Sequence, residues 1–174
     1  MAPTDLGTDI FVVMGVAGSG KSLIGGALAK TLGLEFVEGD QYHPAENVAR
    51  MSAGIPLTDA DRQGWLKALA ARMRDAVNRG NGLVVTCSAL KRSYRDLLRA
   101  ESGAPRLQLI FLRGDRALIG ERIEGRRGHY MPASLLDSQF EALEEPSPDE
   151  NAWAYDVTAS PEDLVATIAA RVRA

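Results

Sequence analysis

One eight-residue segment, 15–22, limits the folds open to this chain. It reads Gly-Val-Ala-Gly-Ser-Gly-Lys-Ser and lies between an apolar run at 10–14 and a helical pattern at 20–32. Glycines let successive backbone N–H groups turn towards one anion, and the following helix points its positive end at the same place. A strand, this loop and a helix in that order predict a P-loop that binds nucleotide phosphates. A purely structural glycine turn is the alternative, and it leaves the lysine at this spacing without a role.

Each position of the predicted P-loop has an expected task. Lys21 is expected to reach the β- and γ-phosphates of the nucleotide, and the Ser22 hydroxyl is expected to bind Mg²⁺. The residues predicted to hold the nucleotide in this segment are Gly15, Val16, Ala17, Gly18, Ser19, Gly20, Lys21 and Ser22.

The composition is typical of one globular domain spanning 1–174. Hydrophobic residues make up 45% of the chain and charged residues 25%, and no apolar run approaches the roughly 18 residues of a membrane helix. We therefore expect no membrane partner, and the net charge of −3 argues against nucleic acid as a partner. A single cysteine, Cys87, and the lack of a secretory leader predict a cytoplasmic protein.

Apolar runs that alternate with helical patterns predict a parallel sheet. The predicted strands are 10–14, 34–38, 83–87, 107–112 and 153–157. Helices between successive strands make the crossovers right-handed and the strands parallel. The predicted fold class is α/β: a three-layer P-loop fold with a five-stranded parallel sheet flanked by helices. A basic, glycine-bracketed stretch at about 122–134 predicts a small lid.

Asp40 follows the second predicted strand and is a candidate for acid–base chemistry. Ligands of parallel sheets bind beyond the carboxyl ends of the strands, which puts Asp40 beside the P-loop. Its carboxylate can take the proton of an acceptor hydroxyl or hold Mg²⁺. The third strand ends Thr86-Cys87-Ser88 without an acid, which argues against hydrolytic motors that carry one there. The alternative is a turn aspartate that caps the helix near Pro44.

The predicted lid contains four cationic or titratable side chains, Arg122, Arg126, Arg127 and His129. Arginines that close over a phosphoryl group stabilise its negative charge and exclude water. The alternative is a basic stretch that is simply solvated.

Lys91 and Arg95 are candidates for binding an anionic acceptor. A helix is predicted to begin directly after the third strand, and on it these two cations share one face that points into the cleft of Asp40. The alternative is an exposed face on which they pair with Asp96 or Glu101. His43 can bind substrate hydroxyls or serve only the structure.

Trp65 and Trp153 are predicted core residues. Cys87, inside a strand, is predicted to be a small buried residue and not a nucleophile.

The chain resembles the bacterial gluconokinases through several motifs in one order. The motifs are Gly15-x-x-x-x-Gly-Lys-Ser22, Glu38-Gly-Asp40-x-x-His43-Pro44-x-x-Asn47, Pro56-Leu-x-Asp59-x-Asp61-Arg62-x-x-Trp65-Leu66, Cys87-Ser-Ala-Leu-Lys91-x-x-Tyr94-Arg95-Asp96, Arg126-x-Gly-His129-Tyr130 and Gln139-Phe140-Glu141-x-Leu143-Glu144-x-Pro146. The resemblance covers about 10–157. It implies ATP-dependent phosphorylation of D-gluconate to 6-phospho-D-gluconate in carbohydrate metabolism, on a fold related to shikimate and adenylate kinases, in a homodimer.

The same resemblance implies roles for individual residues. Lys21, Asp40 and Arg126 are the implied catalytic residues, and Ser22 and Asp40 the implied Mg²⁺ ligands. Arg122 is expected to stack on adenine, and Arg126 or Arg127 to reach the phosphates. The residues implied to bind the acceptor are Asp40, His43, Arg50, Lys91, Arg95 and Gln139. Ala17 stands where many members have serine, but its backbone N–H remains.

Two other readings compete with this one. A kinase of the same fold could act on shikimate or a nucleoside monophosphate, although those kinases lack the Ser88-Ala-Leu-Lys91 block. A nucleotide-binding regulator could keep the P-loop without transferring phosphate, but it would need neither Asp40 nor the lid arginines.

Overall fold

The computed structural model describes residues 6–125 and 133–174, in which five strands form one sheet. Every strand is parallel to its neighbours. Across the sheet their order is β2-β3-β1-β4-β5, so β1 occupies the centre. Each predicted strand is present, with ends within one residue of the prediction. Their bounds are β1 (Asp9–Met14), β2 (Glu35–Glu38), β3 (Leu83–Thr86), β4 (Arg106–Arg113) and β5 (Trp153–Asp156).

Helices connect these strands. Within the described residues they are α1 (Lys21–Leu32), α2 (Ala45–Ser52), α3 (Asp59–Asn78), α4 (Arg92–Ser102), α5 (Arg116–Glu124), α6 (Ala133–Ala142) and α7 (Pro161–Arg173). Two 3₁₀ turns, Gly39–Tyr42 and Pro148–Glu150, follow β2 and precede β5. None of the described helices is both long and apolar enough to span a bilayer.

The two faces of the sheet bury separate cores because alternate strand residues point in opposite directions. On one face Phe11 and Val13 of β1 pack in a cluster with residues of α1 and α7. On the other face Ile10 and Val12 pack with residues of α3 and α4. The arrangement is the three-layer α/β fold that the sequence predicts.

The predicted lid lies largely outside the described residues. Its first residue, Arg122, is in the last turn of α5, and α6 begins at Ala133. Arg126, Arg127 and His129 fall between these helices, in 126–132, outside the described part of the chain.

The prediction that a helix begins directly after β3 is wrong. α4 begins at Arg92, and Lys91 is its N-cap with extended backbone angles. Before it, Ala89 has a positive φ of 44°, which a helix cannot contain. Lys91 and Arg95 therefore do not extend one helical face into the cleft.

Arg95 instead forms a buried ion pair with Glu150. Both side chains are 1% exposed, and Nε and Nη2 of Arg95 lie 2.8 and 3.0 Å from the two carboxylate oxygens. Nη1 donates to the carbonyl oxygens of Ala89 and Leu90. A buried charge needs partners for all its donors, and Arg95 finds them in the segment before α4 and in the turn before β5. One guanidinium therefore joins these two segments.

Replacing Glu150 by glutamine is expected to lower the free energy of unfolding by about 3 kcal/mol at pH 7, because it leaves Arg95 buried without a counter-charge. The pKa of Glu150 is lowered from 4.5 to about 2: burial opposes the charged form, but hydrogen bonds from Arg95 and from the Ser147 N–H outweigh it. A lowered carboxyl pKa stabilises the fold fully above 4.5 and progressively less as the pH falls towards 2. Urea unfolding at several pH values measures both effects.

The matched control is Glu121→Gln at an exposed glutamate of α5. It is expected to change stability by less than about 0.5 kcal/mol. A Glu150→Gln protein as stable as the control at pH 7 would contradict the role given to the pair.

Candidate active site

The P-loop between β1 and α1 has the geometry of an anion site. Gly15, Gly18 and Gly20 have φ values of 152°, 79° and 96°, which side chains other than hydrogen rarely allow. A Cβ on Gly15 would lie 2.8 Å from the Ser19 hydroxyl and 2.9 Å from the Leu112 carbonyl oxygen. α1 starts without an acidic residue in its first turn, and Gly20 provides no side-chain cap. The first N–H groups of α1 are thereby left to an anionic ligand.

Lys21 and Ser22 lie at the start of α1, as predicted. The Lys21 ammonium donates to the Val16 carbonyl oxygen at 2.9 Å, across the mouth of the loop. The Ser22 side chain is exposed.

A cleft of about 630 Å³ opens between the P-loop and helices α2, α3 and α6. Of the residues predicted to act, it brings together Ala17, Lys21, Asp40, His43 and Gln139. The remaining lining residues are Val48, Met51, Ser52, Leu57, Arg62, Trp65, Ser88, Leu90, Leu135 and Ser138.

Asp40 lies at this cleft because β2 and β3 are parallel neighbours and end side by side, with Glu38 paired to Thr86. The Gly39 N–H donates to the Thr86 hydroxyl at 3.1 Å, and a Cβ on Gly39 would lie only 1.9 Å from the Thr86 carbonyl oxygen. The indole N–H of Trp65 donates to the Gly39 carbonyl oxygen at 2.8 Å. These contacts fix the 3₁₀ turn that carries Asp40, whose side chain remains exposed.

His43 stacks on Trp65 at the wall of the cleft, with ring centroids 4.1 Å apart and an angle of 18°. The buried Asn47 amide nitrogen donates to the Asp61 carbonyl oxygen at 2.8 Å and lies 3.3 Å from Nδ1 of His43. An amide nitrogen can only donate, so a hydrogen bond at this contact requires Nδ1 to accept and favours the neutral tautomer with its proton on Nε2. Burial lowers the pKa of His43 below 6.5; the Asp40 charge opposes this shift, and the Arg62 charge adds to it.

Gln139 of α6 connects the cleft to the P-loop. Its Oε1 accepts from the Ala17 N–H at 2.7 Å. The backbone N–H that remains at Ala17 is therefore engaged by Gln139, and among the described contacts the amide nitrogen of Gln139 has no partner.

Arg62 lines the cleft and was not among the predicted site residues. Its Nη1 donates to the Tyr94 hydroxyl at 2.9 Å. It lies three residues before Trp65 on α3, so the two share a face of the helix. That spacing, inside a motif the sequence already displays, is the signal that could have identified it.

Three other predicted cations are absent from the described cleft lining. Arg50, half exposed, pairs with Asp61 at 2.7 Å. Lys91 pairs with Asp59 at 3.0 Å, and neither Asp96 nor Glu101 is its partner among the described contacts. Arg95 is buried against Glu150, so the expectation that it faces the cleft of Asp40 is wrong.

A second cleft, of about 410 Å³, lies on the other side of the P-loop. Gly18, Gly20, Arg122, Ala159 and Pro161 are among its lining residues. Nη2 of Arg122 donates to the Val157 carbonyl oxygen at 2.6 Å, which holds the guanidinium at the edge of this cleft. The expected stacking of Arg122 on adenine stays a prediction.

Two of the three predicted core residues are buried as expected, and the third, Trp153, is half-buried against the core. Trp65 is 1% exposed, although it also lines the cleft. Cys87 is 1% exposed, and burial raises the pKa of its thiol to about 12. A protonated, inaccessible thiol is no nucleophile, so Cys87 has no part in the chemistry.

Known proteins are similar to this chain in both sequence and fold. A family model described as shikimate kinase matches residues 17–163. The gluconokinase of Gluconobacter oxydans is 49% identical over 141 residues, which cover 80% of this chain and 77% of the relative. The thermoresistant gluconokinase of Escherichia coli is 41% identical over 170 residues, or 96% and 95% of the two chains. The chain belongs to the gluconokinase family.

A solved structure supports the same assignment. The crystal structure of a gluconokinase from Sinorhizobium meliloti superimposes with a TM-score of 0.85 at 45% identity, covering 95% of this chain and 91% of that one. The shikimate kinase model and these relatives agree on the P-loop kinase fold. Within that fold, the extent of identity places this chain with the gluconokinases.

The geometry of His43 predicts its behaviour in solution. We expect the imidazole to be neutral at pH 7, with its proton on Nε2 and a titration midpoint below 6.5, because burial disfavours the charged ring. Imidazole ¹⁵N chemical shifts in a pH titration measure both. The chain has only 2 histidines, so a His129→Gln variant assigns the signals. A midpoint above 6.5, or a proton on Nδ1, would contradict the arrangement with Asn47.

Proposed function

We propose that this gluconokinase transfers the γ-phosphoryl group of ATP to the C6 hydroxyl of D-gluconate. The observation that carries the proposal is that one cleft is lined by Lys21 at the P-loop, by the exposed Asp40 and by Arg62. To phosphorylate a sugar acid, a kinase needs a base beside the γ-phosphate for the acceptor hydroxyl. It also needs a cation for the carboxylate at the other end of the acceptor.

The nucleotide would lie along the P-loop. The N–H groups of α1 and the Lys21 ammonium supply the positive field for the β- and γ-phosphates, and the second cleft, beside Arg122 and Pro161, has room for the base. Mg²⁺ suits this donor set, because it takes one or two protein oxygens together with phosphate oxygens and water. Ser22 and Asp40 would hold it, and the ion would neutralise charge on the phosphates.

Asp40 would act on the acceptor hydroxyl. Its carboxylate can accept the hydroxyl hydrogen bond and take the proton as the oxygen forms its bond to phosphorus. Lys21 lines the same cleft and would stabilise the negative charge on the transferred group. The rigid turn around Gly39 keeps the base in place, so little reorganisation is needed during the reaction.

Arg62 would bind the carboxylate end of gluconate. Unlike Arg95, it lines the cleft, and unlike Arg50, it has no carboxylate partner among the described residues. Arg62 thus takes the place that Arg95 and Arg50 have in the motif-based expectation.

His43 and Gln139 would bind hydroxyl groups between the two ends. The Nε2–H of His43 and the amide nitrogen of Gln139 are donors, because Asn47 and Ala17 engage the opposite sides of these two groups. Arg126 and Arg127 would complete the phosphate site from the lid at 122–134. We further propose that one domain carries the whole reaction, in a cytoplasmic homodimer.

The first test is ADP release from Mg·ATP with D-gluconate, shikimate, nucleoside monophosphates or water. Turnover is expected with gluconate and to be absent or much slower with the others. Shikimate is a necessary arm because a shikimate kinase model matches the chain. Preference for shikimate, or ADP release independent of any acceptor, would overturn the proposal.

Asp40→Asn is expected to lower kcat for gluconate by about 10²-fold or more, because the amide cannot take the proton. Binding of ATP without Mg²⁺, followed by calorimetry, should change little, because the P-loop contacts are intact. The matched control is Asp75→Asn. Asp75 lies near the end of α3, about 24 Å along the helix from its first residue, Asp59, and it is absent from the described cleft lining. Equal kcat values for the two variants would remove Asp40 from the chemistry.

Arg62→Ala is expected to raise KM for gluconate by about 10- to 100-fold, as for the loss of a hydrogen bond to a charged group, with KM for ATP nearly unchanged. Arg50→Ala is the comparison, because that guanidinium is held by Asp61 outside the cleft lining. A larger effect of Arg50→Ala on KM would assign the carboxylate to Arg50 instead.

A further inference from the structure

Tyr94 is a buried residue of α4 whose hydroxyl contacts two charged groups. The residue is 2% exposed, and it packs in the core between the sheet and α3. The hydroxyl accepts from Nη1 of Arg62 at 2.9 Å and donates to the Asp59 carboxylate in a short hydrogen bond. The directions are fixed, because a guanidinium only donates and an ionised carboxylate only accepts.

The ring of Tyr94 holds Arg62 as well. The guanidinium carbon lies 5.5 Å from the ring centroid, within the range of a cation–π contact. One buried side chain therefore contacts Arg62 through both its ring and its hydroxyl. An arginine side chain otherwise samples many rotamers, and binding a ligand would have to order it.

Asp59 is itself fixed by a second cation. Lys91 donates to its two carboxylate oxygens at 3.0 and 3.3 Å. Hydrogen bonds from Tyr94 and Lys91 lower the pKa of Asp59, so it stays an ionised acceptor at neutral pH. Asp59 is thus bonded directly to Lys91 and is linked to Arg62 only through the Tyr94 hydroxyl, so Arg62 itself has no carboxylate in direct contact among the described residues.

We propose that Tyr94, oriented by Asp59, is a positioning residue that holds the Arg62 guanidinium ready for the carboxylate of the acceptor. The inference rests on the proposed function, in which Arg62 binds that carboxylate. Tyr94 touches no substrate in this proposal; it acts by removing the freedom of Arg62 before the substrate arrives. The benefit should therefore be seen in acceptor binding and not in the chemical step.

A purely structural role for Tyr94 predicts something different. Its contacts also join α3 to α4, so loss of the hydroxyl could lower stability alone. A structural role would leave KM for gluconate unchanged in folded protein. The split between KM and kcat separates the two roles.

The experiment measures steady-state kinetics of Tyr94→Phe with gluconate and ATP each varied. We expect KM for gluconate to rise about 3- to 10-fold, the effect of one arginine that must now be ordered on binding. The values of kcat and of KM for ATP should stay within about twofold of the parent protein. An unchanged KM for gluconate in protein that turns over gluconate would overturn the inference.

The chain offers a matched control in Tyr155. Its hydroxyl is buried and has no hydrogen-bond partner within the described residues, and it is absent from the described lining of either cleft at the P-loop. Tyr155→Phe removes the same atom and is expected to leave all kinetic constants unchanged. A KM increase equal to that of Tyr94→Phe would make the effect a general one and refute the specific role.

The double variant tests whether Tyr94 acts through Arg62. In an Arg62→Ala background, Tyr94→Phe should add less than about a twofold change in KM, because its target is gone. Independent, multiplicative effects would contradict the inference. Failure of the parent protein to use gluconate at all would instead overturn the proposed function, so the two failures are distinct.

Two variants of Asp59 cover the case in which Tyr94→Phe does not fold. The Asp59 side chain is 59% exposed, so its replacement is tolerable. Asp59→Ala removes the acceptor of the Tyr94 hydroxyl and should raise KM for gluconate. Asp59→Asn keeps an acceptor oxygen and should recover part of that increase; no difference between Asp59→Ala and the parent protein would overturn the inference.

Discussion

The hydrogen bonds that β1 makes on both sides hold the P-loop at the centre of the sheet. β1 pairs with β3 from Ile10 to Val13 and with β4 from Asp9 to Met14, so the loop after Met14 cannot shift without breaking two ladders. All five strands end at this same edge because they are parallel. Asp40, after β2, and the segment after β3 are brought to the P-loop by this arrangement. The segments that follow the parallel strands therefore lie side by side at this edge and form the cleft.

The pairing of charges decides which cations can serve a ligand. Arg95 is fully engaged by Glu150 and two carbonyl oxygens, and Arg50 is engaged by Asp61. Lys91 shares Asp59 with Tyr94. Arg62 is bound to a neutral hydroxyl instead, so its charge is not cancelled by its direct partner. A cation near a cleft is therefore informative only when its partners are known.

The fold follows from the sequence because its signals are local. Apolar runs give the strands to within one residue, and the glycine pattern of the P-loop gives its position between β1 and α1. The site depends on contacts between residues far apart in the chain, such as Arg95 with Glu150 and Tyr94 with Asp59. The spacing predicts that Arg95 faces the cleft, because it predicts a helix that begins directly after β3. The positive φ of Ala89 prevents a helix there, so α4 begins only at Arg92. No local sequence pattern predicts this backbone conformation.

The contact between Gln139 and Ala17 bears on how such enzymes can be redesigned. α6 follows the predicted lid and forms a wall of the cleft, and the side-chain Oε1 of its Gln139 accepts from the Ala17 N–H of the P-loop. The proposed acceptor site and the P-loop are thus joined by one side chain in this chain. A graft that imports α6 from another kinase would transplant part of the P-loop's support along with the new specificity. The graft would have to preserve an acceptor at position 139, or replace Ala17 by a residue such as proline that has no N–H to satisfy.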